Sequence, residues 1–414
     1  MKRLTRFFLP TLLALLGIPG LTQAQVMYIH QGHTAVAVPM AEAGVMNFAE
    51  GATLTVMGHT YTLDAVDSVR IVPTDAYTPD AIVIRYAADG AHVVMAASLV
   101  DDVALTIDGA HVTAIATPTL QREVTYSLSG TSADGSFAMD GEYKATVVLD
   151  GLTLTSTRGA AIDIANGKRI AVSLPDGTAT TLTDAAGGTQ KACFFINGHA
   201  EFSGGGSLTL TGRTKHAYAS DEYTLLKADF SGSITVLAAE GDGMHTEQYF
   251  RMKNGRVTIS GVKGDGIDAP VTNDATDVDN GCLFVEGGSI SLQVTADDVK
   301  GLKCDNAMTL TGGTIEATVS GLGTKGISTG TDLLVGTGGN GPTIRMAVTG
   351  TTYMPGNAEL ESKCRGIKVK GQFTFDGGNI SISATGAKSK AISVDGNYIY
   401  KSGSINCAVD AANT

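Results

Sequence analysis

The stretch Gly241–Ala269, GDGMHTEQYFRMKNGRVTISGVKGDGIDA, contains one short signature twice: Gly-Asp-Gly, a hydrophobic residue, then a polar one. Asp242 and Asp265, the centres of the two copies, are 23 residues apart. Between the copies lie two β-like runs, Gln248–Met252 and Arg256–Ser260, separated by Lys253–Gly255. A period this short leaves no room for a domain per repeat. It describes one turn of a wound chain, and the turn recurs to the C-terminus.

Three apolar positions define each turn. A first strand carries Leu208, Ile234, Val257, Ile290, Ile315, Ile344, Ile380 and Ile405. A second carries Met244, Ile267, Leu302, Ile327, Ile367 and Ile392, each after Gly or Ala. A third carries Phe250, Leu283, Met308, Leu333, Phe373 and Tyr398. The step from second to third strand is six residues in five of six turns, and from third to the next first strand seven in five of six. Helical repeats do not divide into three short β runs, and propeller blades need a longer period. The spacing therefore predicts an all-β fold: a right-handed parallel β-helix with three short strands per coil and about 23–25 residues per coil. One coil cannot bury its apolar side chains alone. Coils stacked about 4.8 Å apart pair their backbones and line those side chains up in interior columns.

The remainder of the 414 residues fits around this array. Lys2, Arg3 and Arg6 precede the apolar run Phe7–Leu21, and Thr22-Gln23-Ala24 supplies small residues for cleavage near Ala24. Phe7–Leu21 is shorter than the roughly 20 residues a membrane span needs and holds two prolines, so no span is expected. The chain is expected to be exported, to the periplasm, the outer surface or beyond. Residues 25–79 form a small β unit that caps the first coil, and residues 80–414 form the β-helix, irregular to about 190 and regular over 191–414. Thr181–Gln190 is expected as a linker. Insertions are expected at Asp268–Gly281, Gly336–Gly341 and Thr349–Lys363, where solenoids commonly edge a binding surface. Without the leader's three cations the formal charge falls from −12 to −15, which excludes nucleic acid as the expected partner and suits divalent cations. Cys193, Cys282, Cys304, Cys364 and Cys407 are too scattered for a disulfide scaffold and read as small packed thiols, a bridge between neighbouring coils remaining open.

Stacking turns one polar residue per coil into a ladder. Before the second-strand Gly or Ala it reads Asp242, Asp265, Lys300, Lys325, Arg365, Lys390. After the apolar residue it reads His245, Asp268, Lys303, Ser328, Lys368, Ser393. One face is thus acidic in its early coils and basic later, provided the glycine marks a corner that keeps the first ladder from turning inward. Carboxylates one rung apart stay ionised only with a cation between them. Asp242, Asp265 and Asp268, with Asp297 and Asp298 of the next coil, offer the hard oxygens calcium prefers. The insertion adds Asn273, Asp274, Asp277, Asp279 and Asn280. The alternative is ordinary Asp-Gly turn chemistry beside a solvated acidic loop. Lys300, Lys303, Lys325, Arg365, Lys368, Lys388 and Lys390 are placed to pair with uronate carboxylates, or else to keep sheet faces apart in solution. His245 joins this carbohydrate-facing set, although alone on a surface it needs no function. The chain has no Trp, so a flat aromatic platform for neutral glucans is not expected, with Phe250 and Tyr398 placed inside.

The Gly-Gly-Thr/Ser-Ile strands, the GDGI-type turns, the acidic insertion before Gly281, the variants SKCRGIK and KGISTG, and the KACFF and FSGGGSLTL segments resemble the bacterial carbohydrate-binding-domain β-helix family over roughly residues 120–414. The resemblance implies a secreted right-handed β-helix, similar in fold to pectate lyases of polysaccharide lyase family nine, that binds calcium and polygalacturonate-like glycans. It makes Asp242, Asp265, Asp268 and the Asp274–Asp279 loop calcium candidates. The last four coils depart from the acidic motif, with Lys or Arg in place of Asp.

Three functions are compatible with these residues. The first is calcium-dependent binding of acidic polysaccharide without cleavage. The second is a lyase in which calcium neutralises a uronate carboxylate and Lys300, Lys303, Arg365 or Lys368 removes the adjacent proton. The third is a structural surface β-helix or adhesin whose ladders only keep the coils soluble.

Overall fold

The computed structural model of the chain describes residues 24–49, 51–74, 77–274, 276–356 and 361–410. Residues 1–23 of the expected leader, 1–24, lie outside the described residues, as do Ala275 and residues 357–360 of two insertions. Two compact units divide the chain: residues 1–31 with 37–77, and residues 32–36 with 78–414. In the smaller, Gln25–Gln31 pairs antiparallel with Ser68–Pro73, and Asn47–Ala49, Thr53–Val56 and His59–Thr62 form an antiparallel meander.

The larger unit is all-β, a parallel β-helix. Its second strands form one stack of parallel neighbours, from Gly135–Gly141 through Met244–Thr246 and Lys300–Cys304 to Lys390–Val394. The repeat positions named above meet in register: Met244, Ile267, Leu302, Ile327, Ile367 and Ile392 pair in succession. So do Phe250, Leu283, Met308, Leu333, Phe373 and Tyr398. The first-strand column from Leu208 to Ile405 pairs likewise. In the last three coils one long strand, such as Phe373–Ala384, serves both the third and first stacks across a bulge. The expected Gly336–Gly341 insertion is such a bulge, inside Leu333–Val348.

Alternation explains the core. In Ser207–Gly212 the residues Leu208 and Leu210 are fully buried while Ser207, Thr209 and Thr211 point toward solvent. Each buried aliphatic side chain contributes roughly 1.5–3 kcal/mol. The second strand breaks this alternation at its glycine: in Lys300–Cys304 both Gly301 and Leu302 are buried, so Lys300 and Lys303 share the outer face. The glycine is there because coils approach closely. A Cβ on Gly266 would lie 2.4 Å from the carbonyl oxygen of Gly301 in the next coil.

Several expectations are corrected. Thr181–Gln190 is not a linker throughout, because Ala179–Thr183 is a first-stack strand. Ala110–Ala116 and Gly135–Gly141 form the first parallel pair of the second-strand stack. Before them the chain runs as hairpins: Ala81–Ala87 pairs antiparallel with Gly90–Ala96, and Val103–Asp108 with Ala110–Ala116. Tyr398 is 51% exposed, since its strand closes the array and pairs on one side only among the described residues. Four cysteines are buried free thiols, whereas Cys407 is exposed in that terminal strand.

Candidate functional site

The charged face runs along the outside of the second-strand stack. Register places His245 beside Asp268, Asp268 beside Lys303, and onward through Ser328 to Lys368 and Ser393. The other ladder also forms, with Lys300, Lys325, Arg365 and Lys390 in successive pairs. Its two aspartates tie coils together: Asp242 Oδ1 accepts the N–H of Asp265 at 2.7 Å, and Asp265 Oδ1 that of Lys300 at 2.7 Å.

Around them charges alternate in sign. Asp242 Oδ2 lies 2.9 Å from His245 Nδ1, which is also 3.5 Å from Asp268 Oδ2. Lys303 Nζ lies 3.1 Å from Asp268 Oδ1 and 3.3 Å from Asp265 Oδ2. Burial alone would raise the Asp242 carboxyl, but hydrogen bonds from His245 and from the Asp265 N–H outweigh it and hold the carboxyl well below the usual carboxylate range. Burial would likewise depress His245, yet Asp242 and Asp268 push it up to about 9. Lys303 is driven above the ordinary lysine range because Asp268 and Asp265 outweigh its desolvation. For Asp265 burial wins, and its carboxyl is raised despite Lys303 and Lys300.

The first ladder begins one coil earlier than the sequence reading placed it. His216 stands at the rung before Asp242, and its ring stacks on His245 with centroids 4.4 Å apart and planes 17° apart. Its Nδ1 accepts the Asp242 N–H at 3.0 Å, which puts the proton on Nε2, a buried atom with no hydrogen-bond partner among the described residues. The nearby Asp242 Oδ2, 3.2 Å from that same Nδ1, therefore meets a lone pair in this tautomer. Burial keeps His216 below the ordinary imidazole range, in keeping with a neutral ring. Aligning His216-Ala217-Tyr218 with Asp242-Gly243-Met244 would have found it.

The other acidic candidates are not gathered here. Asp274 Oδ1 caps Thr276, Asp277 Oδ1 accepts the Asp279 N–H, and Asp279 pairs with Arg251 at 2.9 Å. Asp297 Oδ1 accepts the Leu322 N–H. Asp298 Oδ1 takes the Ser362 hydroxyl at 2.8 Å and the Lys325 ammonium at 3.2 Å. As placed, Asp242, Asp265 and Asp268 do not fit calcium, which prefers six to eight oxygens. Their charge is already met by an imidazolium and an ammonium, and an ion could enter only by displacing Lys303.

The basic candidates divide. Lys325 is buried under Ser362 of the Thr349–Lys363 insertion, bonded also to the Gly323 carbonyl, so no ligand reaches it. Lys300 Nζ donates to the Asp298 carbonyl at 2.7 Å. Arg365 Nη1 donates to the Lys363 carbonyl at 2.7 Å while its Nε is buried without a partner among the described residues. Lys368 pairs with Asp395, and Lys390 is exposed with no ion pair among the described residues. Half-exposed aromatics form a separate stack along the third strands: Tyr223 lies on Tyr249 at 4.9 Å and 12°, with His199 on its other side at 4.5 Å. Their faces are spent on one another, leaving edges for solvent.

A sequence profile described as "Carbohydrate-binding domain-containing protein" matches residues 116–411. The chain belongs to that family. A relative of the same description from Acetivibrio thermocellus is 29% identical over 123 residues, 27% of this chain and 42% of the relative. The chain thus spans less than half the length of that family member. Among solved structures, a polysaccharide lyase-like protein from C. thermocellum, a gadolinium derivative, aligns over 80% of this chain and 100% of its own at 18% identity, with a TM-score of 0.45. The match begins at Ala116, the end of the strand Ala110–Ala116, and covers most of the parallel stacks, although Ala81–Ala87 and Ala110–Ala116 before it also pair parallel with Val124–Ser132 and Gly135–Gly141. No helix among the described residues is long and apolar enough to cross a membrane.

Proposed function

We propose that this family member is an exported, non-catalytic binder of acidic polysaccharide, and that it grips its ligand at the basic end of the second-strand face. The supporting observation is that Arg365 and Lys390 stand a rung apart with like charge, while Lys368 pairs with Asp395, whose carboxyl it lowers together with the charges of Arg365 and Lys370. These cations outnumber their partner on a chain whose formal charge is −12. A polymer with one carboxylate per sugar suits a surface that offers cations coil after coil, and arginine can hold a carboxylate through two parallel bonds. Export rests on the basic and apolar leader.

The partnerships of Lys303, Lys300 and Lys368 support binding without cleavage. A general base must give up its proton near neutral pH. Lys303 is held protonated by Asp265 and Asp268, and Lys300 and Lys368 are engaged with Asp298 and Asp395. Calcium enters this proposal through Asp274 and Asp277, carboxylates of the insertion that carry no ammonium partner among the described residues, where an ion would join them to a ligand carboxylate.

The test is retention of the mature chain on immobilised polygalacturonate, with calcium and with chelator, beside a neutral glucan. Retention on the acidic polymer that Arg365→Ala/Lys368→Ala/Lys390→Ala abolishes supports the binder. Growth of the ultraviolet absorbance of unsaturated uronates would instead make it a lyase. No retention on either polymer in any condition would leave only a structural role.

A further inference from the structure

A second cluster of metal-ligating side chains lies outside the segment that the family profile matches. His33 sits in the turn before the strand that opens at Thr34, and Asp89 and His92 flank Gly90 at the hairpin joining Ala81–Ala87 to Gly90–Ala96. All three belong to the larger unit. The His33 carbonyl accepts the N–H of Val93 at 2.8 Å, which fixes its turn one residue from His92. Gly90, at φ +125°, lets the hairpin close up: a Cβ there would lie 2.9 Å from the Gly109 oxygen and 3.7 Å from His33 Cε1.

The result is two imidazoles facing one carboxylate. The rings of His33 and His92 have centroids 4.6 Å apart, and His92 Nε2 lies 3.0 Å from Asp89 Oδ1. One ligand atom from each of the three residues falls within 4.8 Å of the others. Around zinc, with bonds of about 2.0–2.2 Å, tetrahedral ligand atoms stand roughly 3.3–3.5 Å apart. Small side-chain rotations span the difference. A hollow of about 290 Å³, lined by His33, Thr34, Asp89, Ile107 and Gly109, opens beside the cluster.

We propose that His33, Asp89 and His92 form a site for a zinc-type divalent transition metal, with its fourth position open to water or to a small oxygen or nitrogen ligand in the adjoining hollow. Two imidazoles and a carboxylate match the borderline preference of such ions and not the all-oxygen shell of calcium.

The test is calorimetric titration of the mature chain with zinc, repeated with calcium, and cobalt substitution read by its visible ligand-field bands. The wild type is expected to bind one zinc that excess calcium does not displace. Asp89→Asn, near-isosteric, and His33→Ala/His92→Ala should each weaken it more than about a hundredfold, since even outer-shell partners are worth about 10–100-fold. His245→Ala, which breaks the His216–Asp242–His245 group, should leave it intact. Unchanged zinc affinity in the first two variants, loss in His245→Ala alone, equal displacement by calcium, or no zinc binding would each overturn the site. Thermal melts of every variant separate lost ligands from lost fold.

Discussion

The two ends of the second-strand face occupy the same slots in the same kind of strand, yet their charges do different work. At the acidic end Asp242, Asp265 and Asp268 alternate with His245 and Lys303, and two of the carboxylates also bond the backbone of the next coil. At the basic end Arg365 and Lys390 stand a rung apart with like charge. The acidic end closes on itself and supports the fold. The basic end carries a like-charge repulsion between Arg365 and Lys390, which fits the proposed role in binding an anion. A ladder position therefore sets where a side chain starts, while the sign of its neighbours decides what it serves.

The sharpest way to break this comparison is Asp242→Ala. It strands His245 beside Asp268 alone and removes the acceptor of the Asp265 N–H. Removing one partner of a buried charged network costs about 3–5 kcal/mol. Denaturant unfolding followed by far-ultraviolet circular dichroism reads it, the chain having no Trp. A loss no larger than that of Arg365→Ala would mean the two ends are alike.

Lys303→Met should come next, at roughly 2–3 kcal/mol, because Asp265 and Asp268 then face each other with no ammonium between them. The same variant leaves an acidic trio, so calcium should raise its melting temperature by more than it raises that of the wild type. Equal calcium stabilisation of both proteins would show that Lys303 does not hold the place of an ion.

A pH series sharpens the contrast further. His245 rises from 6.5 to about 9 on folding, so the stability it adds is complete below about 6.5 and is lost as pH climbs through about 9. Asp242 shifts downward, so its share is present above its unfolded value of 3.8 and is lost only as pH falls below that. The melting temperature should decline across pH 6.5 to 9 in the wild type and stay flat over that range in His245→Gln. A slope that survives the substitution would assign it elsewhere.

The wound fold was legible because it rests on apolar period: all three interior columns were readable from spacing, and they pair in register. The face was legible as a set of positions. Its partnerships were not, because they depend on distance across coils. Ser362 comes from a distant insertion to cover Lys325, and no period connects the two. Ala217 fits the Gly-or-Ala position that Ala391 also fills, and His216 was masked by Tyr218 standing where later coils have Met, Ile or Leu. The first hairpins were missed for a related reason: Ala81–Ala87 and Gly90–Ala96 alternate like any strand, and alternation carries no direction. Tyr398 obeys the period, but the coil that would cover it does not follow among the described residues.

The smallest effect should come from Lys390→Ala, and it separates the two ends most cleanly for that reason. Lys390 is exposed, makes no ion pair among the described residues, and stands a rung from Arg365. Its loss should move stability by no more than about 0.5 kcal/mol, as for surface positions in general, and relief of repulsion favours a slight gain. Retention on polygalacturonate should nonetheless fall, and elution should come at lower salt, because an exposed charge acts through long-range attraction that ions screen. If Lys390→Ala lowers the melting temperature while leaving the elution salt unchanged, the basic end belongs to the fold as the acidic end does.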